Sequence, residues 1–180
     1  MKELSLNILD LTQNSITAGA TLIEITVKED PATDRLYIAL ADNGKGMTAE
    51  QVAAVSDPFY TTRTTRKVGL GIPLFKMAAE MSGGNCTIQS APGKGTTIAA
   101  EFKRSHIDLV PIGDMEGVVH DLVYMNPTLD FVYTRALGSK QFVFDTRELR
   151  EVLGDIPFNE PEVSLWISEN LAQLLASIHQ

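Results

Sequence analysis

Residues 42–47 read Asp42-Asn43-Gly44-Lys45-Gly46-Met47 and follow directly on an alternating apolar run. A carboxylate held at the end of a strand can accept a hydrogen bond from the amino group of a purine. Gly44 and Gly46 remove side chains where backbone must pass a flat ring, and both permit positive φ. Met47 offers that ring a soft apolar surface. Taken alone, the stretch is an ordinary Asp-Asn-Gly turn. Two other stretches change its reading.

Upstream, Asn7, Asp10, Asn14 and Thr17 are spaced 3, 4 and 3 apart and form one polar seam on an otherwise apolar helix. Alone, that seam is the wet face of an amphipathic helix. Beside the Asp42 loop it gains a chemical role. Magnesium keeps several waters and takes only one or two protein oxygens, usually next to substrate phosphates. The amide oxygen of Asn14 suits that role without adding charge, and Asp10 is placed to orient or deprotonate an attacking water. Downstream, Gly69-Leu70-Gly71-Ile72-Pro73 puts bare amides at a helix N-terminus, where the dipole and unpaired N–H groups favour phosphate. Arg63, Arg66 and Lys67 stand just before it and can neutralise a triphosphate. The three stretches together describe an ATP site built without a P-loop. Gly93-Lys94-Gly95-Thr96 lacks the Gly-x-x-x-x-Gly-Lys-Ser/Thr spacing and runs from a turn into a strand, so it is read as a turn. Thr96 can reach the adenine pocket from there.

Around these motifs the apolar periodicity lays out a helix over 3–18, with Leu4, Ile8, Leu11 and Ser15 on one stripe. Strands follow at 22–27 and 35–41, then a mixed segment over 48–68 and a helix over 72–81. Two more strands, at 86–89 and 96–102, complete the first part. This order predicts an α+β fold, a two-layer sandwich with helices on one face of an antiparallel or mixed sheet. The pattern weakens near Arg104, which places an ATP-binding domain over 1–104 and a small α+β C-terminal subdomain over 105–180. The latter reads as a helix at 114–125, a hairpin at 129–137 and 141–144 turning at Gly138-Ser139, a capping box at Asp145-Thr146-Arg147-Glu148, and a last helix over 161–178.

The motifs closely resemble the gyrase, histidine-kinase and MutL superfamily of ATPases, with its Bergerat fold, over about residues 3–104. Asn14-Ser15-Ile16-Thr17-Ala18-Gly19-Ala20-Thr21 resembles the first box of MutL-type proteins. Asp57-Pro58-Phe59-Tyr60-Thr61-Thr62-Arg63, Gly69-Leu70-Gly71-Ile72 and Pro92-Gly93-Lys94-Gly95-Thr96-Thr97 resemble the catalytic domain of sensor histidine kinases. The resemblance implies that Asn14 binds magnesium, Asp42 reads adenine, residues 48–68 form an ATP lid, and Thr96 supports the adenine contact through water. Two departures stand out. Asp10 occupies the place of a glutamate general base in the MutL and gyrase ATPases, and its shorter reach argues against fast hydrolysis. Second, no dimerisation helix bearing a phosphoacceptor histidine is expected before residue 3, and His106, His120 and His179 read as ordinary surface or core histidines. The expectation is therefore a histidine-kinase-like protein that acts on or signals to a separate protein. A slow ATPase switch and a nucleotide-sensing module without catalysis are the alternatives. The layout also resembles small stand-alone ATP-binding proteins of anaerobic bacteria encoded near NADH-linked iron hydrogenases, which implies a redox or hydrogenase-associated partner.

Charge and composition bound these readings. Residues 1–104 carry 11 acidic and 11 basic side chains, whereas 105–180 carry 12 acidic and 4 basic, so the whole net charge of −8 lies in the C-terminal part. Nucleic acid would need the opposite sign. The acidic excess reads either as a solvated subdomain or as a docking face for a basic partner. No apolar run approaches the ~20 residues of a membrane helix. A single cysteine, Cys86, allows no internal disulfide, and a cytoplasmic location is expected.

Overall fold

A computed structural model describes residues 3–57 and 70–180 of the 180-residue chain. The elements are α1 (Leu4–Thr17), β1 (Leu22–Asp30), β2 (Arg35–Asp42), α2 (Ala49–Val55), α3 (Gly71–Met81), β3 (Asn85–Ser90), β4 (Thr96–Lys103), α4 (Met115–Met125), β5 (Asp130–Leu137), β6 (Lys140–Asp145), α5 (Thr146–Leu153) and α6 (Pro161–Ile178). One six-stranded sheet runs in the order β3-β4-β2-β1-β5-β6. Neighbours are antiparallel except β1 and β5, which are parallel. The mixed sheet and two-layer α+β architecture agree with the sequence expectation.

The register shows where the core lies. Ile88, Ile98, Leu40, Ile25, Tyr133 and Phe144 stand side by side across all six strands. All but the partly buried Ile88 are buried. Period-two alternation puts this row and its neighbours on one face, while Glu24 and Lys28 stay exposed on the other. The helices cover the apolar face. On α1 the buried stripe contains Leu4, Ile8, Leu11 and Ser15, as the 3.6-residue period requires. Helix α3 buries Ile72, Phe75 and Ala79, with Phe75 edge-on to Phe102 of β4. It packs on α1, α1 packs on α4, and α4 packs on α6. The helix layer thus follows the sheet from its β3 edge to its β6 edge.

The division suggested at Arg104 falls at the end of β4, and the sheet continues past it. Residues 105–180 supply two of the six strands and share one apolar cluster with the rest. A buried polar group also ties the parts together. Arg135 of β5 lies 3.5 Å from both Glu29 of β1 and Glu116 of α4, and the Tyr133 hydroxyl donates to Glu116 at 2.8 Å. Burial drives the Tyr133 phenol well above its usual pKa.

Within the segment that the sequence reads as mixed, Ala49–Val55 forms a helix. Thr48 and Gln51 form a reciprocal capping box that starts α2. The rest of the expected lid, 58–68, lies outside the described residues. Among the described residues no helix is long and apolar enough to cross a membrane.

Candidate nucleotide site

The site arises where the apolar row of the sheet turns polar. One step beyond Ile88, Ile98, Leu40 and Ile25, on the same face, the register pairs Ser90 with Thr96, Thr96 with Asp42 and Asp42 with Ile23. Three strands therefore end in a hydroxyl, a hydroxyl and a carboxylate on the face that is otherwise core. A cavity of about 220 Å³ opens there, lined by Asn14, Ser15, Thr17 and Ala18 of α1 and its end, by Asp42, Lys45, Gly46 and Met47, and by Thr96. Leu11, Val55, Ile72 and Ile98 supply its apolar surface. An apolar protein cavity of about 150 Å³ already accepts a benzene ring, so this one admits a heterocyclic base.

Asp42 is held from two sides. Ser15 donates its hydroxyl to one carboxylate oxygen at 2.6 Å, and the Gly44 amide donates to the other at 2.9 Å. An ionised carboxylate has about four lone-pair positions, so two remain for a ligand. Asn43 pins the loop from behind, its carboxamide oxygen accepting from the Thr21 and Leu22 amides at 2.8 and 3.0 Å. On the far side, the Ser90 hydroxyl receives the Met47 amide at 2.8 Å, donates to the Gly95 carbonyl and lies 2.8 Å from the Thr96 hydroxyl. That one side chain joins the Asp42 loop to the turn between β3 and β4.

The glycines make room for protein backbone. Gly46 has φ 70°, and a Cβ on it would overlap the Ala91 carbonyl; Gly95 has φ 76°, and its Cβ would overlap the Asp42 carbonyl. Gly44 does not need positive φ, but its Cβ would lie 2.9 Å from the Ala18 carbonyl oxygen. The sequence suggests that Gly44 and Gly46 let backbone pass a purine, and Gly95 belongs to a turn. Here they let the loop, the end of α1 and the β3–β4 turn approach one another, the close backbone contact that only glycine permits.

The end of the cavity expected to take phosphate lies where α1 meets α3. A Cβ on Gly71 would lie 3.5 Å from the Asp10 Cβ and 3.8 Å from the Asn14 carboxamide nitrogen. The first turn of α3 thus sits directly over both residues. No side chain caps that turn among the described residues, and Pro73 removes one N–H that would otherwise lack a partner. Leu70 is the N-cap residue and is exposed. Among the described residues, the side chains of Asp10 and Asn14 make no hydrogen bond. Asp10 is exposed beside the cavity, and Asn14 is half-buried within its lining.

The polar seam read on α1 divides. Asn14 and Thr17 line this cavity, whereas Asn7 is buried and faces a different one beside Leu74 and Met77. Arg63, Lys67 and Gly69, along with Arg66, lie outside the described residues. Ser15 and Ser90 were not singled out as site residues in the sequence. The usable signal is periodicity: Ser15 takes an apolar place on the 3.6-residue stripe of α1, and Ser90 takes one on the period-two face of β3. None of the three histidines lines the cavity. His120, for example, bridges α4 to α6 through Ser164, 2.9 Å away. Burial pushes the Cys86 thiol up to about 11, which favours the protonated form at neutral pH.

Comparison with known proteins agrees with this geometry. The family model described as histidine kinase-, DNA gyrase B-, and HSP90-like ATPase matches residues 2–106. The non-motile and phage-resistance protein of Caulobacter vibrioides is 31% identical over 110 residues, covering 56% of this chain and 13% of that protein. The sensor histidine kinase ZraS of Klebsiella oxytoca is 38% identical over 89 residues, 49% of this chain and 19% of that one. The sensor protein SrrB of Staphylococcus aureus is 37% identical over 109 residues, 58% and 18% respectively. The chain thus spans a fifth or less of the length of these relatives. Among solved structures, the Aquifex aeolicus MutL ATPase domain complexed with ADP superposes with a TM-score of 0.51 at 14% identity, over 84% of this chain and 69% of that one. The N-terminal domain of a DNA repair protein gives 0.55 at 16%, over 79% and 52%. These two likenesses concern the fold. The family match covers more than half of the chain, which belongs to the histidine kinase-, DNA gyrase B- and HSP90-like ATPases.

Proposed function

We propose that this chain binds ATP with magnesium in the α1–β2–β4 cavity and uses it to act on, or signal to, a separate protein. The observation that carries the reading is Asp42, a doubly held carboxylate at the point where an apolar row of the sheet becomes the wall of a base-sized cavity. Its free lone pairs accept the adenine amino group, while Met47, Ile72 and Ile98 cover the ring. Thr96, held by Ser90, offers a hydroxyl for a water-mediated contact with the same edge. The uncapped first turn of α3 receives phosphate oxygens. The donor set suits magnesium, because a neutral amide oxygen without a hydrogen-bond partner stands beside that turn. Asn14 holds the ion, which when bound offsets phosphate charge.

Asp10 supports a second reading, a slow ATPase whose nucleotide state switches partner binding. Its Cβ lies beside Gly71 in the first turn of α3, a position from which a carboxylate can orient a water at the proposed phosphate end. The side chain is one methylene shorter than a glutamate, so it holds that water less closely. Asp10→Glu is expected to raise phosphate release several-fold while leaving ATP affinity unchanged. No rise would show that Asp10 is not the base.

The two readings separate in paired assays. γ-Labelled ATP incubated with the chain and candidate acceptor proteins measures transfer, and phosphate release measures hydrolysis. Label on an acceptor that disappears in Asp42→Ala supports transfer. Release without label supports the switch, and neither signal leaves a sensing module without chemistry.

A further inference from the structure

We propose that the groove between α5 and α6 is a docking site for a basic amphipathic helix of a partner protein. This rests on the reading that the chain acts on a separate protein, and it names the surface and the chemistry of that contact.

The groove measures about 350 Å³ and is lined by Leu149, Val152 and Leu153 of α5 and by Glu162, Val163 and Trp166 of α6. The spacing is that of one helical face on each side: 149, 152 and 153 on α5, and 162, 163 and 166 on α6. Leu149, Leu153 and Val163 form its floor, partly buried against the core, while Val152 and Trp166 stand out from it. Val152 is 83% exposed and Trp166 49%. Two of the twelve exposed large apolar side chains among the described residues, Val152 and Trp166, thus face one apolar groove from opposite helices.

Charge selects the occupant. On α5, Glu148 shares a stripe with Val152, four residues on. On α6, Glu162 and Glu169 flank Trp166 on its own stripe. All three glutamates are exposed and none is in an ion pair among the described residues. The nearby arginines are occupied: Arg147 pairs with Asp145 at 2.8 Å, and Arg150 with Asp130 at 2.8 Å. An acidic rim around an apolar floor repels a second copy of this chain, an anionic lipid surface and nucleic acid. It attracts a helix with apolar anchors at i, i+3, i+4 and i+7 and lysine or arginine on its flanks.

Trp166 is the chain's only tryptophan, so the groove carries its own reporter. The test uses the full chain without nucleotide, which keeps its outcome independent of ATP binding. The probe is a synthetic helical peptide with leucine at those anchor positions and lysine elsewhere. Two controls are a glutamate-for-lysine version and a scrambled leucine–lysine version without an apolar face. The lysine peptide should shift Trp166 emission to the blue in a saturable way that weakens as salt rises, and the controls should not. Val152→Lys and Glu162→Lys, both at exposed positions, should each weaken it about tenfold or more, the first by losing an apolar contact and the second by setting a cation against the lysines of the peptide. No shift, or an equal shift with either control, would overturn the proposal. A blue shift that depends on the concentration of the chain alone would assign the groove to a second copy instead. A response to phosphatidylglycerol vesicles but not to the peptide would assign it to a membrane.

Discussion

Asp42→Ala is expected to abolish measurable ATP binding while the chain keeps its fold. Three losses combine. The adenine amino group loses its acceptor, at ~1–3 kcal/mol or more for a buried group left unpaired. Ser15 and the Gly44 amide lose the carboxylate that they hold, so the loop carrying Gly46 and Met47 loses one of its ties to α1 and keeps the Lys45 amide on the Ala18 carbonyl. At 1.4 kcal/mol per tenfold, the first loss alone costs about ten- to a hundredfold in affinity. The fold should survive because Asp42 lies at the edge of the apolar rows and Asn43 still pins the loop to Thr21 and Leu22. Calorimetry with ATP, beside circular dichroism of the same sample, checks both halves. Asp42→Asn should fall in between, since a carboxamide has one acceptor oxygen for the tasks that two now share. Unchanged affinity in Asp42→Ala would remove the adenine assignment.

Asn14→Ala is expected to weaken ATP binding strongly in magnesium and only slightly in its absence. The carboxamide makes no hydrogen bond among the described residues, so removing it costs the fold little. Its position beside the first turn of α3 gives it a role only when an ion and phosphates are there. Affinities measured in magnesium and in excess chelator give the ratio directly. A loss of more than tenfold with the metal and less than about threefold without it is the expected pattern, a coupling of the size that a ligand to a charged group supplies. Equal losses would mean that Asn14 only supports the helix.

Much of this site could be read from residue order because its parts are local signals. Asp42 ends a strand with strict alternation, Gly69-Leu70-Gly71 opens an amphipathic helix, and Asn14 sits one turn from Asp10. What periodicity cannot supply is register between strands distant in sequence. That Ser90, Thr96 and Asp42 fall in a single line follows from the pairing of β3, β4 and β2, and Ser90 was overlooked for that reason. The same limit applies to the glycines. Which backbone approaches Gly46 or Gly95 is a tertiary fact, and it proved to be the chain's own turns. Asn7 was read with the Asn14 seam because a 3.6-residue period groups them. The two lie on one face but about 10 Å apart along the axis, so Asn7 borders a different cavity beside Leu74. The parallel pairing of β5 with β1 was equally hidden, since alternation in 130–137 marks a strand without naming its neighbour. In α2 the signal was present: Thr48 and Gln51 have capping-box spacing, lost among the threonines and basic residues that follow.

The central claim is that a carboxylate acceptor at the end of β2 reads an adenine base in the α1–β2–β4 cavity. Titrating the wild-type chain with ATP and with GTP in magnesium, by calorimetry under one buffer condition, tests it most directly. The account predicts saturable binding of one ATP per chain, competed by ADP, and GTP weaker by at least about tenfold. The exocyclic carbonyl of guanine would set an acceptor against the Asp42 carboxylate, leaving that group unpaired. Absence of saturable ATP binding, or equal affinity for the two nucleotides, would contradict it.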